Sequence, residues 1–368
     1  MADRYPDPNL RIKSKISDPE VKLLDVRQAP FSIYGLYNPC AEPQFKRIPD
    51  DVATATSPGA AVFALTTTGG RVRFSTDSPY IAIRAEMPDI ARFEFFSLSG
   101  SAGFDLYVDD PESGDSFYRK PFIPSHAALD GVADGFESRI DLPGKKKRYF
   151  TIHFPLWSQV KNLFVGVQKD AVVNRGASYR SDLPIVFYGS SITQGGFVSH
   201  PGNAYPNLVG RRMNLDHMNF GLAGNGKGED AIADYMASLP MLAFICDYDY
   251  NAPSVDHLRA THRKLYETIR KNHPDIPYLM ISRPNFIDNP RNFADRRDVI
   301  LETLRYAREQ GDRNVWFVDG SSIYRGKYQD CCTVDGVHPN DFGHVLFAEK
   351  IEEELRHALM SQHFVFDC

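Results

Sequence analysis

Residues 184–196 read PIVFYGSSITQGG, and this stretch decides the fold of the second half of the chain. The apolar run Ile185–Tyr188 is followed by a glycine, two serines and, after three more residues, a glycine pair. This pattern predicts a buried parallel strand that ends in a tight turn. Because ligands collect at the carboxyl ends of strands in open α/β sheets, Ser190 and Ser191 are in position to meet a substrate.

The rest of the second half alternates short apolar runs with helical segments. The predicted strands are Ile185–Tyr188, Met218–Phe220, Leu242–Cys246, Tyr278–Ile281 and Val315–Val318. The predicted helices are Asn203–Met213, Glu229–Leu239, Asp256–Lys271, Asn292–Gln310 and Asn340–Leu359. Since crossovers between parallel strands are right-handed, this order predicts a flavodoxin-like, three-layer α/β/α domain with a five-stranded parallel sheet.

The first half has a periodicity of two residues instead. Val72 and Phe74 alternate with Arg71 and Arg73, and similar short alternating segments recur up to about residue 175 with turn signals between them. This pattern predicts an antiparallel, jelly-roll-like β-sandwich. We therefore expect two domains, residues 1–175 and 176–368, joined through a polar stretch at residues 169–182.

Composition excludes several classes of protein. The 368 residues are 42% hydrophobic and 24% charged with a formal net charge of -5, which favours neither nucleic acid nor an anionic membrane as a partner. The five cysteines are odd in number and scattered, so reduced thiols and a cytoplasmic location are expected. An exported protein whose leader has been removed is the alternative, and the oligomeric state stays open.

A second polar motif, Asp335-Gly-Val-His-Pro339, precedes the last predicted helix. A serine hydroxyl is a weak nucleophile unless a base accepts its proton. A carboxylate three residues before a histidine can hold one ring nitrogen and leave the other free to act as that base. The motif therefore indicates a constellation of His338 and Asp335 with one of the two serines, Ser190 or Ser191; the alternative is a surface histidine that follows a turn aspartate.

These motifs occur in the order of the conserved blocks of a known family. The stretches GSSITQG (189–195), NFGLAG (219–224), DYDYN (247–251) and the D-x-x-H-P motif (335–339) resemble the blocks of the SGNH (GDSL-type) hydrolases. The resemblance implies that Ser191 is the nucleophile, His338 the general base and Asp335 its orienting partner. It also implies an oxyanion hole formed by the backbone N–H groups of Ser191 and Gly224 and by the side-chain amide of Asn251.

Two departures from the family pattern concern these blocks. Ser190 occupies the position of the usual acidic residue, and we interpret it as a structural hydroxyl. Asn251 is preceded by a tyrosine and followed by an alanine, where the family has glycine and aspartate.

The resemblance continues outside the catalytic blocks. The stretches 31–37, 47–49, 70–77 and 196–205 resemble bacterial two-domain SGNH proteins with an N-terminal β-sandwich. Two residues of the last stretch, His200 and Tyr205, are possible substrate-lining residues. The alternative is a loop histidine and an aromatic residue at the start of a helix.

Together these features predict a serine esterase that needs neither cofactor nor metal. It would remove a small acyl group, with acetyl as the favoured group, from a carbohydrate or similar polar ester through an acyl-enzyme. One alternative is an acyltransferase that moves the acyl group to another alcohol. A different class of protein, a non-catalytic carbohydrate-binding protein, is the other alternative.

Overall fold

The computed structural model describes residue 12 and residues 15–125, 129, 132–284, 290–326 and 328–366. The first eleven residues of the predicted N-terminal domain and Cys368 lie outside this part of the chain. Within it, the strands up to residue 175 are β1 (Val21–Asp25), β2 (Ser32–Tyr34), β3 (Arg71–Thr76), β4 (Tyr80–Glu86), β5 (Phe104–Asp109), β6 (Ser116–Phe122), β7 (Phe136–Asp141), β8 (Arg148–His153), β9 (Asn162–Gln168) and β10 (Val173–Arg175). The helices of the same part are α1 (Asp50–Thr56), α2 (Pro58–Ala64) and α3 (Leu98–Ser101).

The strands of this first part form two antiparallel sheets. One has the order β1-β9-β4-β7, and the other has the order β10-β3-β8-β5-β6 with β2 paired to β3. Phe74, Phe104 and Ile152 of the second sheet lie in the same buried cluster as Ile83 and Val165 of the first. The prediction of an antiparallel β-sandwich is confirmed.

The second part contains the strands β11 (Ile185–Gly189), β12 (His217–Gly221), β13 (Ala243–Asp247), β14 (Tyr278–Ile281) and β15 (Val315–Val318). Its helices are α4 (Ser191–Gln194), α5 (Tyr205–Met213), α6 (Asp230–Ser238), α7 (Val255–Asn272), α8 (Pro290–Glu309) and α9 (Asp341–Ser361). None of the helices in the described ranges combines the length and the apolar character needed to cross a bilayer.

The five strands of the second part pair in the order β12-β11-β13-β14-β15, and every pair is parallel. Helices α5 and α9 cover one face, while α6, α7 and α8 cover the other. This confirms the three-layer domain with the flavodoxin-like strand order. The turns that follow β11, β12, β13 and β15 all lie at the carboxyl edge of the sheet, where the predicted site residues are found.

Helices α1 and α2 differ from the sequence-based prediction. They lie within the half predicted to be all β, yet Ala53, Ala60 and Ala64 are buried in the same cluster as Ile232 and Phe244 of the α/β domain. Alanine is the best helix former, and two aspartates in the first turn of α1 and a proline at the start of α2 favour helical ends. The first part of the chain therefore completes the core of the second.

Strand β3 is buried along its whole length, which also differs from a strand with one solvated face. The arginine face of β3 packs on the second part of the chain, where Arg71 forms an ion pair with Asp216. Part of the stretch predicted as a linker, β10, is an edge strand paired with β3. The contact between the two parts is therefore extensive and partly ionic.

Candidate active site

The turn after β11 positions both serines. Ser190 is fully buried, and its Oγ accepts the Ile192 N–H at 3.1 Å, which caps the short helix α4. A side chain on Gly189 would lie 2.0 Å from Thr193 Oγ1, so this tight turn accepts only glycine. Ser191 is the first residue of α4, and its backbone N–H therefore has no acceptor inside the helix.

The structure brings the serine and the D-x-x-H motif together, although 147 residues separate them in sequence. Ser191 Oγ lies 2.8 Å from His338 Nε2, and His338 Nδ1 lies 2.7 Å from Asp335 Oδ2. The other carboxylate oxygen of Asp335 accepts the backbone N–H groups of His338 at 2.7 Å and Val337 at 3.0 Å. Asp335 thus fixes both the ring and the backbone of the histidine. The resulting geometry is that of a nucleophile, a base and an orienting acid.

Asp335 is held in its charged form. Burial acts to raise its pKa, but the hydrogen bonds from His338 and Val337 outweigh burial, and the pKa of this carboxyl lies below its usual value. The side chains of His338 and Asp335 are 21% and 23% exposed. Water therefore reaches the constellation directly.

Two of the expected oxyanion donors are arranged differently from the prediction. Asn251 Nδ2 donates to the carbonyl oxygens of Leu222 at 2.8 Å and Gly226 at 3.0 Å, and Asn251 Oδ1 accepts the Gly224 N–H at 3.0 Å. The amide of Asn251 is thus engaged in holding the loop 222–226, and the Gly224 N–H is directed at Asn251. In this structure the Asn251 amide and the Gly224 N–H are thus bonded within the protein, whereas the Ser191 N–H has no acceptor inside its own helix.

Gly224 itself has the open surroundings that a substrate needs. Its φ is +65°, in the left-handed region, and no atom lies within 4 Å of the position that a side chain would occupy. A ligand can therefore approach this backbone closely.

Tyr205 does not line the site, contrary to the substrate-lining prediction, and His200 contacts residues of the β-sandwich. Tyr205 begins α5 with its side chain fully buried towards the sheet, and its hydroxyl donates to Asp247 Oδ2 at 3.1 Å. His200 Nδ1 lies 2.5 Å from Asp105 Oδ2 of β5, and its ring stacks on Tyr118 with a centroid separation of 4.3 Å. Both residues have structural roles, one under the nucleophile turn and one between the two parts of the chain.

Asp247, at the end of β13, supports the nucleophile turn through hydrogen bonds on its buried side. Its Oδ2 accepts the hydroxyls of Thr193 and Tyr205, both at 3.1 Å. Burial raises the pKa of Asp247 to about 8 against the lowering effect of these hydrogen bonds. The carboxyl is therefore neutral at pH values below about 8.

Arg47 is a supporting residue whose role the sequence alone did not indicate. It is buried and makes five hydrogen bonds, with the carbonyls of Phe63, Thr66, Asn219 and Gly221 and with Thr66 Oγ1. Because burial dominates, the pKa of this guanidinium falls to about 9. Its contacts fix the end of β12, from which the loop 222–226 leaves. The only signal in the sequence was the resemblance of residues 47–49 to the two-domain SGNH proteins.

An aromatic side chain, Phe197, borders the histidine, and aromatic side chains from the first part of the chain pack behind it. The Phe197 ring lies 4.7 Å from the His338 ring, and it contacts Phe96 at 5.2 Å and Trp157 at 6.1 Å between centroids. Phe96 and Trp157 belong to the first part of the chain. One side of the site is therefore apolar and is built by the β-sandwich together with the loop after α4.

Comparisons with known proteins agree with this geometry. Residues 182–356 match the GDSL-like lipase/acylhydrolase family, and residues 21–173 match a family described as the N-terminus of SGNH-hydrolase-type esterases. None of the curated proteins compared with the chain matches it significantly.

Solved structures resemble the chain over almost its whole length. A protein from Bacteroides ovatus ATCC 8483 assigned as a GDSL-like lipase is 25% identical with a TM-score of 0.80, covering 92% of this chain and 98% of that one. The salicylyl-acyltransferase SsfX3 of a tetracycline biosynthetic pathway is 21% identical with a TM-score of 0.72 and the same coverage. An acetyl xylan esterase from Butyrivibrio proteoclasticus is 13% identical with a TM-score of 0.58, again with 92% and 98% coverage.

The likenesses below 25% identity concern the fold alone. The two matched families together span both parts of the chain, and the first of them covers the four catalytic blocks between residues 189 and 339. The chain belongs to the SGNH (GDSL-type) hydrolase family and is an esterase with an N-terminal β-sandwich.

Proposed function

We propose that the protein is a serine esterase that removes a small acyl group, acetyl in the first instance, from a carbohydrate or similar polar ester. The observation that carries the proposal is the 2.8 Å distance between Ser191 Oγ and His338 Nε2. Exposure of the histidine to solvent supports hydrolysis, because the water that releases the acyl group has direct access. The acetyl xylan esterase with a similar fold supports the choice of substrate class.

In the proposed mechanism, Ser191 Oγ attacks the ester carbonyl carbon as its proton passes to His338 Nε2. Asp335 Oδ2 accepts the Nδ1–H of His338 and stabilises the imidazolium that forms. The protonated Nε2 then gives its proton to the leaving alkoxide, which departs as an alcohol and leaves an ester on Ser191 Oγ. Water repeats the sequence, with His338 as base, and the free carboxylate is released.

The negative charge of the tetrahedral intermediate needs hydrogen-bond donors. We assign the Ser191 N–H as one donor. The Gly224 N–H is the second, once it has exchanged Asn251 Oδ1 for the substrate oxygen. In this proposal the main role of Asn251 is to position the loop 222–226.

Ser191→Ala and Ser190→Ala form a matched pair that tests the assignment of the nucleophile. We expect Ser191→Ala to reduce kcat/KM for p-nitrophenyl acetate at least about 10³-fold and to abolish labelling by a fluorophosphonate. Ser190→Ala removes a helix cap, so it should lower the free energy of unfolding by about 1 kcal/mol and keep the labelling. Labelling of the Ser191→Ala protein would contradict the proposal.

Acyl transfer is the second candidate, and the aromatic side chains beside His338 favour it. Phe197, packed on the buried rings of Phe96 and Trp157, offers an apolar surface beside His338 on which an acceptor alcohol or an aromatic acyl group can pack. The fold of a salicylyl-acyltransferase is similar to that of this chain. Supplying an acyl donor together with sugar and aromatic alcohols, and measuring new ester against free acid, separates the two candidates.

A further inference from the structure

A small cavity lies where the outer face of β3 packs on α5 and β12, away from the catalytic residues. Its volume is about 20 Å³, and its lining includes Arg71, Arg73 and Arg211 together with Asp109. A single water-sized particle needs about 10–15 Å³, so the cavity has room for about one such particle. Nothing in the proposed reaction uses these residues.

Arg73 is incompletely satisfied in this cavity. It is 4% exposed, its guanidinium lies 4.1 Å from the ring centroid of Tyr179, and Nη2 lies 3.4 Å from Asp109 Oδ2. Its Nε and Nη1 are buried and bond no acceptor in the part of the chain that the structure describes. Buried guanidinium N–H groups are normally bonded, so these two donors require a partner.

Arg211 contributes a third donor from the opposite wall. It belongs to α5, its guanidinium lies 4.7 Å from the ring centroid of Tyr107, and it donates to the Ser116 carbonyl at 3.5 Å. Its buried Nε likewise bonds no acceptor in the described ranges. The unsatisfied donors of the cavity thus come from both parts of the chain.

The charge around the cavity is positive. Arg71 is neutralised by Asp216, but the single carboxylate in the lining, Asp109, already accepts the hydroxyls of Ser116 and Thr151, both at 2.7 Å. Its contact with Arg73 is long, at 3.4 Å, whereas Arg211 interacts electrostatically with a different buried carboxylate, Asp105, which lies outside the lining. The nearby His153 is consistent with this field: burial first, and then the neighbouring arginines, push its pKa well below the usual value.

We propose that this cavity binds a monatomic anion of the chloride class, held by Arg73 Nε, Arg73 Nη1 and Arg211 Nε. A cation is disfavoured by the guanidinium groups, and the small space favours a single-atom anion over sulfate, phosphate or acetate. The anion joins the β-sandwich to α5 and offsets the repulsion between arginines that belong to different parts of the chain. It therefore stabilises the docked arrangement of the two parts.

Thermal unfolding tests this proposal, because a ligand that binds only the folded state raises Tm by mass action. At constant ionic strength, replacing sodium gluconate with sodium chloride or bromide should raise Tm saturably, by about 2 °C. Arg73→Met keeps the aliphatic stem on Tyr179 and should abolish the response. The control Arg139→Met removes an arginine that stacks on Tyr80 in the other sheet, and it should retain the response.

A second measurement does not depend on a variant that folds. Crystals of the unaltered chain grown in sodium bromide should give an anomalous peak within hydrogen-bond distance of Arg73 Nε. A Tm that is the same in gluconate and chloride, or a bromide map without that peak, overturns the proposal and assigns a water molecule to the cavity. Neither the Tm shift nor the bromide peak depends on esterase activity, so the test is independent of the proposed function.

Discussion

Asn251→Ala separates two roles for the asparagine of the third block. If Asn251 holds the loop 222–226, as its contacts indicate, the variant loses the hydrogen bonds to Leu222, Gly224 and Gly226. At about 0.5–1.5 kcal/mol for each bond, the loss would be about 1.5–4.5 kcal/mol. The Leu222 carbonyl keeps its bonds from Asn225 and Gly226, so we expect about 2–3 kcal/mol.

Urea unfolding measures this change, and kcat/KM for p-nitrophenyl acetate below the transition measures the catalytic effect. If Asn251 only holds the loop 222–226, the free energy of unfolding of Asn251→Ala falls, while its kcat/KM falls by less than about tenfold because no direct oxyanion donor has been removed. A direct oxyanion donor would instead cost about 10²–10³ in kcat. Unchanged stability together with such a loss of kcat would refute our reasoning.

Two further variants sharpen the comparison. Asn251→Asp keeps the acceptor for the Gly224 N–H but sets a carboxylate oxygen against two carbonyl oxygens, so it should destabilise more than Asn251→Ala. Asn272→Ala is the matched control. Asn272 ends α7, and in the described ranges its side chain makes a single hydrogen bond, at 2.9 Å to the Ala237 carbonyl of α6. Loss of this bond should cost about 1 kcal/mol without a change in kcat.

Three other predictions follow from the structure. Asp335→Asn removes the charge that stabilises the His338 imidazolium, and kcat/KM for p-nitrophenyl acetate should fall by up to about 10⁴, the effect known from serine proteases; a loss below tenfold would exclude the assigned role. Arg47→Met leaves the carbonyls of Asn219 and Gly221 without their charged donor, and we expect urea unfolding to show a loss of about 3–5 kcal/mol. Stability within 1 kcal/mol of the unaltered protein would contradict that reasoning. Burial raises the pKa of Asp247 from 3.8 to about 8, so folding takes up a proton between these values and the free energy of unfolding falls as pH rises across that window. Asp247→Asn should remove this part of the slope in unfolding measured from pH 4 to pH 8, and an unchanged slope would show that Asp247 is ionised when folded.

Much of the site could be predicted because its determinants are local. The strand, turn and serine of residues 184–196 lie within thirteen consecutive positions, and the D-x-x-H motif folds on itself through bonds that span three residues. The order of strands and helices then left little freedom in how the carboxyl ends of the strands meet. For the same reason, the five parallel strands were predicted with their ends in error by at most one residue.

The remaining features depend on contacts between distant segments, which local patterns do not encode. Arg47 bonds a carbonyl 172 residues away, so its burial cannot be read from its neighbours. The side chain of Tyr205 faces the sheet because Tyr205 starts a helix that packs on the sheet. Its position shortly after the nucleophile block had instead suggested that it lines the active site. The side-chain amide of Asn251 donates to carbonyls of the loop 222–226 and not to the substrate site. Which acceptor such a donor bonds can be seen only in the three-dimensional structure.

The burial of α1 and α2 in the α/β domain also bears on the synthesis of the chain. Residues 50–64 leave the ribosome long before α6, against which their alanines pack in the native protein. Until about residue 240 has emerged, this apolar surface has no native partner. The nascent chain therefore carries an unfinished helical layer through almost half of translation, and a fragment that begins at residue 176 would lack part of its own interior.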